Sequence, residues 1–197
     1  MPKKAISAEA IEQIFTKART YHYWTDRFVS DENLHEIYEI MKWGPTALNS
    51  NPARILFIKS EEEKEKLASA MWGSNPAQVK RAPVTAILAY DESWIEFLPR
   101  LFQTYDPRPL LDGNKKLTQE TVFRNSTLQG AYMIFAIRSL GLDACGMSGF
   151  DNEQVDTLFF KGTTWKSNFI CTLGYGDDDK LYPREPRLEF GEVCKII

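Results

Sequence analysis

The sequence predicts an α+β fold, laid out as one domain over residues 1–197. Three observations carry that prediction. Short apolar runs of strand length alternate with amphipathic helical segments. The connections between them vary in length and character, so nothing imposes the right-handed crossovers of a parallel sheet. A chain of 197 residues also buries roughly 70% of its unfolded surface, enough to fold without disulfide or metal staples. No internal repeat or low-complexity tract interrupts it.

Each element has a local cause. Residues 7–18 carry Ile11, Ile14 and Phe15 on one helical stripe. A second helix starts at Ser30, an N-cap residue followed by Asp31 and Glu32, whose charges suit the positive helix end. Its apolar positions are Leu34, Ile37, Tyr38 and Met41, and Pro45 stops it. Residues 55–58 read as a buried strand. Ser60-Glu61-Glu62-Glu63 is a capping box that opens a short helix towards Met71. Residues 84–90 form a second buried strand, and residues 93–102 a short helix. Residues 103–116, with Pro107, Pro109 and Gly113, make an irregular stretch, and a loop of that length is more often functional than idle. The longest helix covers residues 118–140 and stops at Gly141. Its residues 131–137 are apolar on every side, which calls for enclosure by the core or by a second subunit. Asp151 with Gln154 caps a further helix to Phe160, and residues 168–172 make a third strand. A polar, proline-bearing tail over residues 177–187 leads to a last apolar segment ending at Ile197.

Composition excludes several classes. The net charge is −3, from 24 basic and 27 acidic residues, so no broad nucleic-acid-binding face is expected. No apolar run approaches the ~20 residues of a membrane span. Met1-Pro2-Lys3-Lys4 is followed by a polar stretch without a signal-peptide core. Cys145, Cys171 and Cys194 are widely spaced, which suits a reducing compartment, and a cytoplasmic location is expected. With only His22 and His35 beside them, no metal site is expected.

The chemistry narrows in the same way. No G-x-S-x-G elbow, P-loop or dinucleotide fingerprint occurs. Gly174-Tyr175-Gly176 is followed by three aspartates that would repel phosphate, so it reads as a turn. Three places remain. Gly44-Pro45-Thr46-Ala47-Leu48-Asn49-Ser50-Asn51-Pro52 is either a tight connection built on Asx turns or a backbone-rich pocket for a planar heteroaromatic ligand. Met147-Ser148-Gly149-Phe150-Asp151 is either a capped strand-to-helix turn or a place where a backbone N–H closely approaches a ligand. Arg19, Arg184 and Arg187 are either solvated charges or, together, a phosphate clamp.

Taken in order, these places resemble the FMN-dependent nitroreductase family, over nearly the whole chain from Arg19 to Val193. The N-terminal Arg-rich motif stands here as Arg19-Thr20-Tyr21-His22-Tyr23-Trp24. The Pro-Ser-x-x-Asn-x-Gln-Pro loop stands as Pro45-Thr46-Ala47-Leu48-Asn49-Ser50-Asn51-Pro52. The turn after the long helix stands as Gly146-Met147-Ser148-Gly149-Phe150, and Arg187 precedes Glu192-Val193. Within the family, the resemblance is greatest to the malonic semialdehyde reductase subgroup, also described as NADH dehydrogenase or NAD(P)H nitroreductase. Residues 41–46, Phe123-Arg124-Asn125-Ser126 with Gln129, residues 147–151, and Lys166-Ser167-Asn168 leading to Gly174-Tyr175-Gly176-Asp177 carry it. The chain departs from the family at Ala18 and His22, where basic residues are usual. It departs also at Asn51, usually Gln, and at Ser148, where many relatives have Glu.

The resemblance implies a central, mainly antiparallel sheet flanked by helices in an intertwined homodimer, with FMN sites at the subunit interface. It implies NADH or NADPH as co-substrate and a small acceptor, malonic semialdehyde reduced to 3-hydroxypropanoate. The alternatives are a broad nitro- or enone-reductase and, in another class, a flavin-binding protein without turnover. By the same resemblance, Arg19, Thr20 and His22 belong to the cofactor site. Pro45, Thr46 and Asn49 come from the shared loop. Ser148 and Gly149 lie at flavin N5, Gly149 through its backbone, and Arg184 and Arg187 bind phosphate. Arg108 is the expected clamp for a substrate carboxylate, with Arg124 second. No side chain need act as a nucleophile.

Overall fold

Four strands pair side by side in the computed structural model, which describes residues 4–197. Residues 1–3 of the N-terminus read above lie outside the described residues. The strands are β1 (Ala53–Ile58), β2 (Val84–Asp91), β3 (Asp143–Met147) and β4 (Trp165–Gly174). Their order is β1-β2-β4-β3, and every neighbouring pair is antiparallel. The expected antiparallel sheet is present. β2 and β4 are central, which explains why β2 is apolar almost throughout.

Helices cover both faces. They are α1 (Ala8–Ile11, continued by a π turn over Glu12–Thr16), α2 (Asp31–Met41), α3 (Glu61–Ala68) and α4 (Asn75–Arg81). Then come α5 (Leu98–Leu101), α6 (Arg108–Leu111), α7 (Lys115–Ser139), α8 (Asn152–Phe159) and α9 (Phe190–Val193). The period-two alternation of strands sends neighbouring side chains to opposite layers. Val84, Ala86, Cys171 and Leu173 meet Ile37, Met41, Met133 and Ile137 of α2 and α7. Ile87, Ala89 and Ile170 meet Leu67, Val79, Phe150 and Val155 on the other face.

Capping explains where the helices begin. Ser30 accepts from the Asn33 N–H, Ser60 from the Glu63 N–H, and Asp151 from the Gln154 N–H. Several boundaries differ from expectation: β1 begins at Ala53, and the helix expected over residues 93–102 is a 3-10 turn, Trp94–Phe97, followed by α5. α7 starts at Lys115, because the Asn114 side chain accepts from the Leu117 N–H and closes its first turn. α3 ends at Ala68 rather than near Met71, and β4 begins at Trp165. The irregular stretch before α7 contains the single turn α6. Within one chain, the core encloses residues 131–137 on one side only. Met133, Ala136 and Ile137 are buried against the sheet, whereas Tyr132 is 36% exposed.

α7 lies against the sheet at Gly130. A Cβ there would sit 2.5 Å from Leu88 Cδ2 and from the Phe169 ring. At an open mid-helix site, Gly→Ala gains about 1 kcal/mol. Here the overpacking of a buried contact reverses the sign, and Gly130→Ala is expected to lower unfolding free energy by about 1–2 kcal/mol. Denaturant titration reads this directly. A stabilised variant would show that the helix does not sit this close.

Candidate functional site

The site begins with a short, irregular segment. Residues after the π turn pair with the chain beyond β4: the Thr25 N–H donates to Tyr175 O and the Asp177 N–H to Tyr23 O. This close crossing needs Gly176, because a Cβ there would fall 2.2 Å from the Tyr21 ring. The Tyr21 hydroxyl donates to Asp178, and burial, with that carboxylate next, holds the phenol well above its ordinary range.

From this segment His22 reaches α4. Its Nδ1 lies 2.6 Å from Gln78 Oε1, so Nδ1 carries the proton and donates. Gln78 Nε2 donates to Asn75 Oδ1 at 3.4 Å, and Asn75 Nδ2 donates to Gly149 O at 3.0 Å. Asn75 and Gln78 stand one turn apart on a helix that Pro76 starts, so both amides share a face. The relay thus ends at the turn after β3. The Trp72 N–H donates to Gly149 O as well. A Cβ on Gly149 would meet Asn75 Nδ2 at 2.8 Å, so a larger residue would push that amide away. The Gly149 N–H has no acceptor among the described residues. The N-terminus of α8 is closed by its own Asp151 cap.

Two guanidinium groups lie near the His22 end of the relay. Arg19 Nη2 donates to Tyr182 O, and Arg184 Nη2 donates to Ala18 O at 3.0 Å. The Tyr182 ring lies 5.2 Å from His22. The structure therefore brings together Arg19, His22, Gly149 and Arg184, with Thr20 between the first two in sequence. Ser148 is exposed beside Gly149. Arg187 instead donates to the carbonyls of Glu185 and Pro186 in its own segment.

Pro45, Thr46 and Asn49 lie elsewhere. Their loop enters β1 at one edge of the sheet, and Gly149 leaves β3 at the other. Three strand spacings, about 14 Å, separate those edges. Asn49 Nδ2 donates to Leu101 O at 2.8 Å, and Asn51 Nδ2 donates to Asn49 O and Oδ1. A cavity of about 1100 Å³ opens beside this loop, with Tyr38, Trp43, Phe97 and Gln129 in its wall.

Arg108 does not present an open fork. Its Nε and Nη2 donate to Asp106 at 2.9 and 2.7 Å, and these bonds hold the Asp106 carboxyl below its ordinary range. Arg124 is exposed, with Glu120 at 3.9 Å. Asn75 and Gln78 escaped the sequence reading. Their signal was Asn-Pro-x-Gln, a proline-started helix with amides three apart. No grouping of His, Cys, Asp and Glu fit for a metal occurs among the described residues. No described helix is long and apolar enough to cross a membrane.

Two of the three cysteines are shielded. Burial pushes the Cys145 thiol up and the Cys171 thiol to about 12; Cys194 is exposed. Only the thiolate reacts. Native protein at pH 8 is expected to take up iodoacetamide at Cys194 alone, and unfolded protein at all three, as read by mass spectrometry. Rapid labelling of native Cys145 would show that the strand next to the relay opens.

Comparison with known proteins agrees with this architecture. A Rhodopseudomonas palustris protein named NADH dehydrogenase/NAD(P)H nitroreductase is 47% identical over 187 residues, 95% of each chain. A nitroreductase family protein from Streptococcus pneumoniae superposes with a TM-score of 0.82 at 22% identity, over 94% of this chain and 98% of that one. A nitroreductase-type protein from Exiguobacterium sibiricum, solved in complex with FMN, superposes with a TM-score of 0.80 at 20% identity, over 99% and 100%. The family model described as "Nitroreductase family" matches residues 1–175. The fold is nitroreductase-like, and the chain belongs to the nitroreductase family.

Proposed function

We propose that this protein is an FMN-dependent oxidoreductase that carries hydride from NADH or NADPH to a small acceptor. One observation carries the reading: the acceptor-free Gly149 N–H ends a chain of neutral side chains whose other end, at His22, lies near Arg19 and Arg184. That donor set fits FMN. Amides both donate and accept, as the edge of a flavin ring requires, and guanidinium groups match phosphate. When bound, FMN supplies hydride chemistry that no side chain offers. Asn75, Gln78 and His22 would hold the ring edge, and Arg19 with Arg184 the phosphate. The Gly149 N–H would direct a fixed dipole at the reacting edge. Thr20, next to Arg19 in sequence, and the exposed Ser148 would extend this surface, while Arg187 would have to leave the carbonyls of Glu185 and Pro186 to reach it.

The active unit is a homodimer in this reading. Pro45, Thr46 and Asn49 precede β1, at the opposite edge of the sheet from the Gly149 turn within one chain, and a second copy would bring its loop to that turn. The exposed side of α7 supports this, with Phe123 50% and Leu128 46% exposed. Leu128→Glu is expected to leave the protomer folded and halve the mass seen in sedimentation, with loss of bound FMN. A stable wild-type monomer that retains FMN would contradict the shared site.

The proposed acceptor is malonic semialdehyde, which with one NAD(P)H and one proton gives 3-hydroxypropanoate. Its support is the resemblance of the sequence to that subgroup. Its carboxylate needs a cation, and Arg108 serves once that carboxylate displaces Asp106. The bidentate closure of Arg108 by Asp106 favours a second reading, a broad nitro- or enone-reductase that needs no anion clamp.

Purified protein tests these readings together. Yellow protein that NADH or NADPH bleaches under nitrogen supports the oxidoreductase. Yellow protein that neither bleaches is a binder without turnover, and colourless protein that takes up no FMN defeats both. Brisk turnover of a nitroaromatic with none of malonic semialdehyde would establish the second reading. Asn75→Ala loses about 1–3 kcal/mol per lost bond, so FMN affinity is expected to fall roughly ten-fold. Unchanged affinity would remove Asn75 from the site.

A further inference from the structure

We propose that Asn125 and Gln129 of α7, with Arg54 of β1, are positioning residues that hold the loop over residues 45–52 in its ligand-ready shape. The inference rests on the flavin reading above for the identity of the ligand, and on the loop's own geometry for the rest.

That loop is not at rest on its own backbone. Leu48 sits at φ 55° and ψ 24°, Asn49 at φ 48° and Asn51 at φ 41°. Left-handed backbone costs a non-glycine residue roughly 1 kcal/mol or more, least for Asn. Three such residues within four positions persist only where the surroundings over-determine them.

The surroundings that do so come from α7. Asn125 and Gln129 are four residues apart, on one face of the helix. They are 4% and 5% exposed, in places where apolar side chains would pack as well. Each accepts one N–H flanking the strained residues. Asn125 Oδ1 accepts from Ala47 N at 2.7 Å, and Gln129 Oε1 from Ala53 N at 2.9 Å. Their amide nitrogens are also used: Asn125 Nδ2 donates to Thr121 O, and Gln129 Nε2 to Asn51 Oδ1. Asn51 passes the constraint on to Asn49.

Arg54 fixes the same loop from the strand side. Its Nη1 donates to Asn51 O and Ala53 O at 3.2 and 2.9 Å, and its Nη2 pairs with Asp91 at 2.8 Å. Asp91 is 4% exposed and accepts from Thr164 and Ser93 as well. A buried network of this kind, in which Asn125, Gln129, Asn51, Arg54 and Asp91 all have partners, favours one conformation. Its value to binding is that the loop is ordered before a ligand arrives, so binding does not carry the ordering cost. Asn125 lies outside the wall of the cavity beside the loop, whereas Gln129 and Arg54 also line it.

Asn125→Leu and Gln129→Met remove the acceptors and keep the volume apolar. Amide exchange at Ala47 and Ala53 is expected to speed up at least ten-fold, while β2 amides and the thermal midpoint stay near wild type. FMN affinity, titrated by fluorescence quenching, is expected to weaken about ten-fold, the size of one lost bond. Arg54→Lys keeps the charge beside Asp91 and loses the fork, and should act in the same direction. It carries the test should either apolar variant fail to fold. Unchanged exchange at Ala47 and Ala53 in folded variants overturns the inference. So does fast exchange with wild-type FMN affinity, which leaves the flavin reading standing. Wild-type protein that takes up no FMN overturns the flavin reading itself.

Discussion

The close approach of α7 to the sheet is the constraint on which the rest depends. A helix of 25 residues spans roughly 37 Å, and α7 touches all four strands. Gly130 lets it come down onto Leu88 and Phe169. Once it lies there, one face closes the core through Met133 and Ile137, and a second turns Asn125 and Gln129 towards the loop before β1. Its far end clasps the N-terminal helix, where Arg138 Nη1 donates to Ile14 O and Gln13 Nε2 donates to Arg138 O. Core, loop and N-terminal segment are therefore all set by one packing distance.

The chemistry of the candidate site has a consistent character. Its guanidinium groups, Arg19 and Arg184, both bond carbonyls near the His22 end. The relay itself is made of neutral groups: an imidazole, two carboxamides and a peptide unit. Such a surface reads the shape and donor pattern of a ligand more than its charge. The loop around Asn49 and Asn51 is also built from carboxamides, on the opposite edge of the sheet.

That character decides how much was legible in the sequence. Helices with strong caps announced themselves, as at Ser30, Ser60 and Asp151, and so did β2, whose residues are apolar because both faces are covered. β3 was silent. Asp143-Ala144-Cys145-Gly146-Met147 has little intrinsic strand preference, and backbone pairing with β4 makes it a strand. α4 was silent because Asn75-Pro76 looks like a turn until the helix that follows is seen. With α4 went Asn75 and Gln78, the centre of the relay. Arg19, His22, Gly149 and Arg184 were legible only through the order of motifs along the chain, since no spacing joins residues so far apart. Arg108 shows the opposite failure: an arginine in a polar loop looks available until its neighbour Asp106 is seen to hold it.

The two arginine clasps near His22 also set when that end of the site can form. Arg19 and Arg184 each bond a carbonyl more than 160 positions away in the chain. The sheet is complete once β4 ends at Gly174, yet Tyr182 and Arg184 come later. During synthesis from the N-terminus, the core can therefore condense while the segment around His22 still lacks its counterpart. Closing such a long loop is entropically slow and repaid only at the end. The two clasps thus form only after residues 182–184 have joined the sheet that precedes them, and cutting the chain after Gly174 removes both clasps while sparing the four strands.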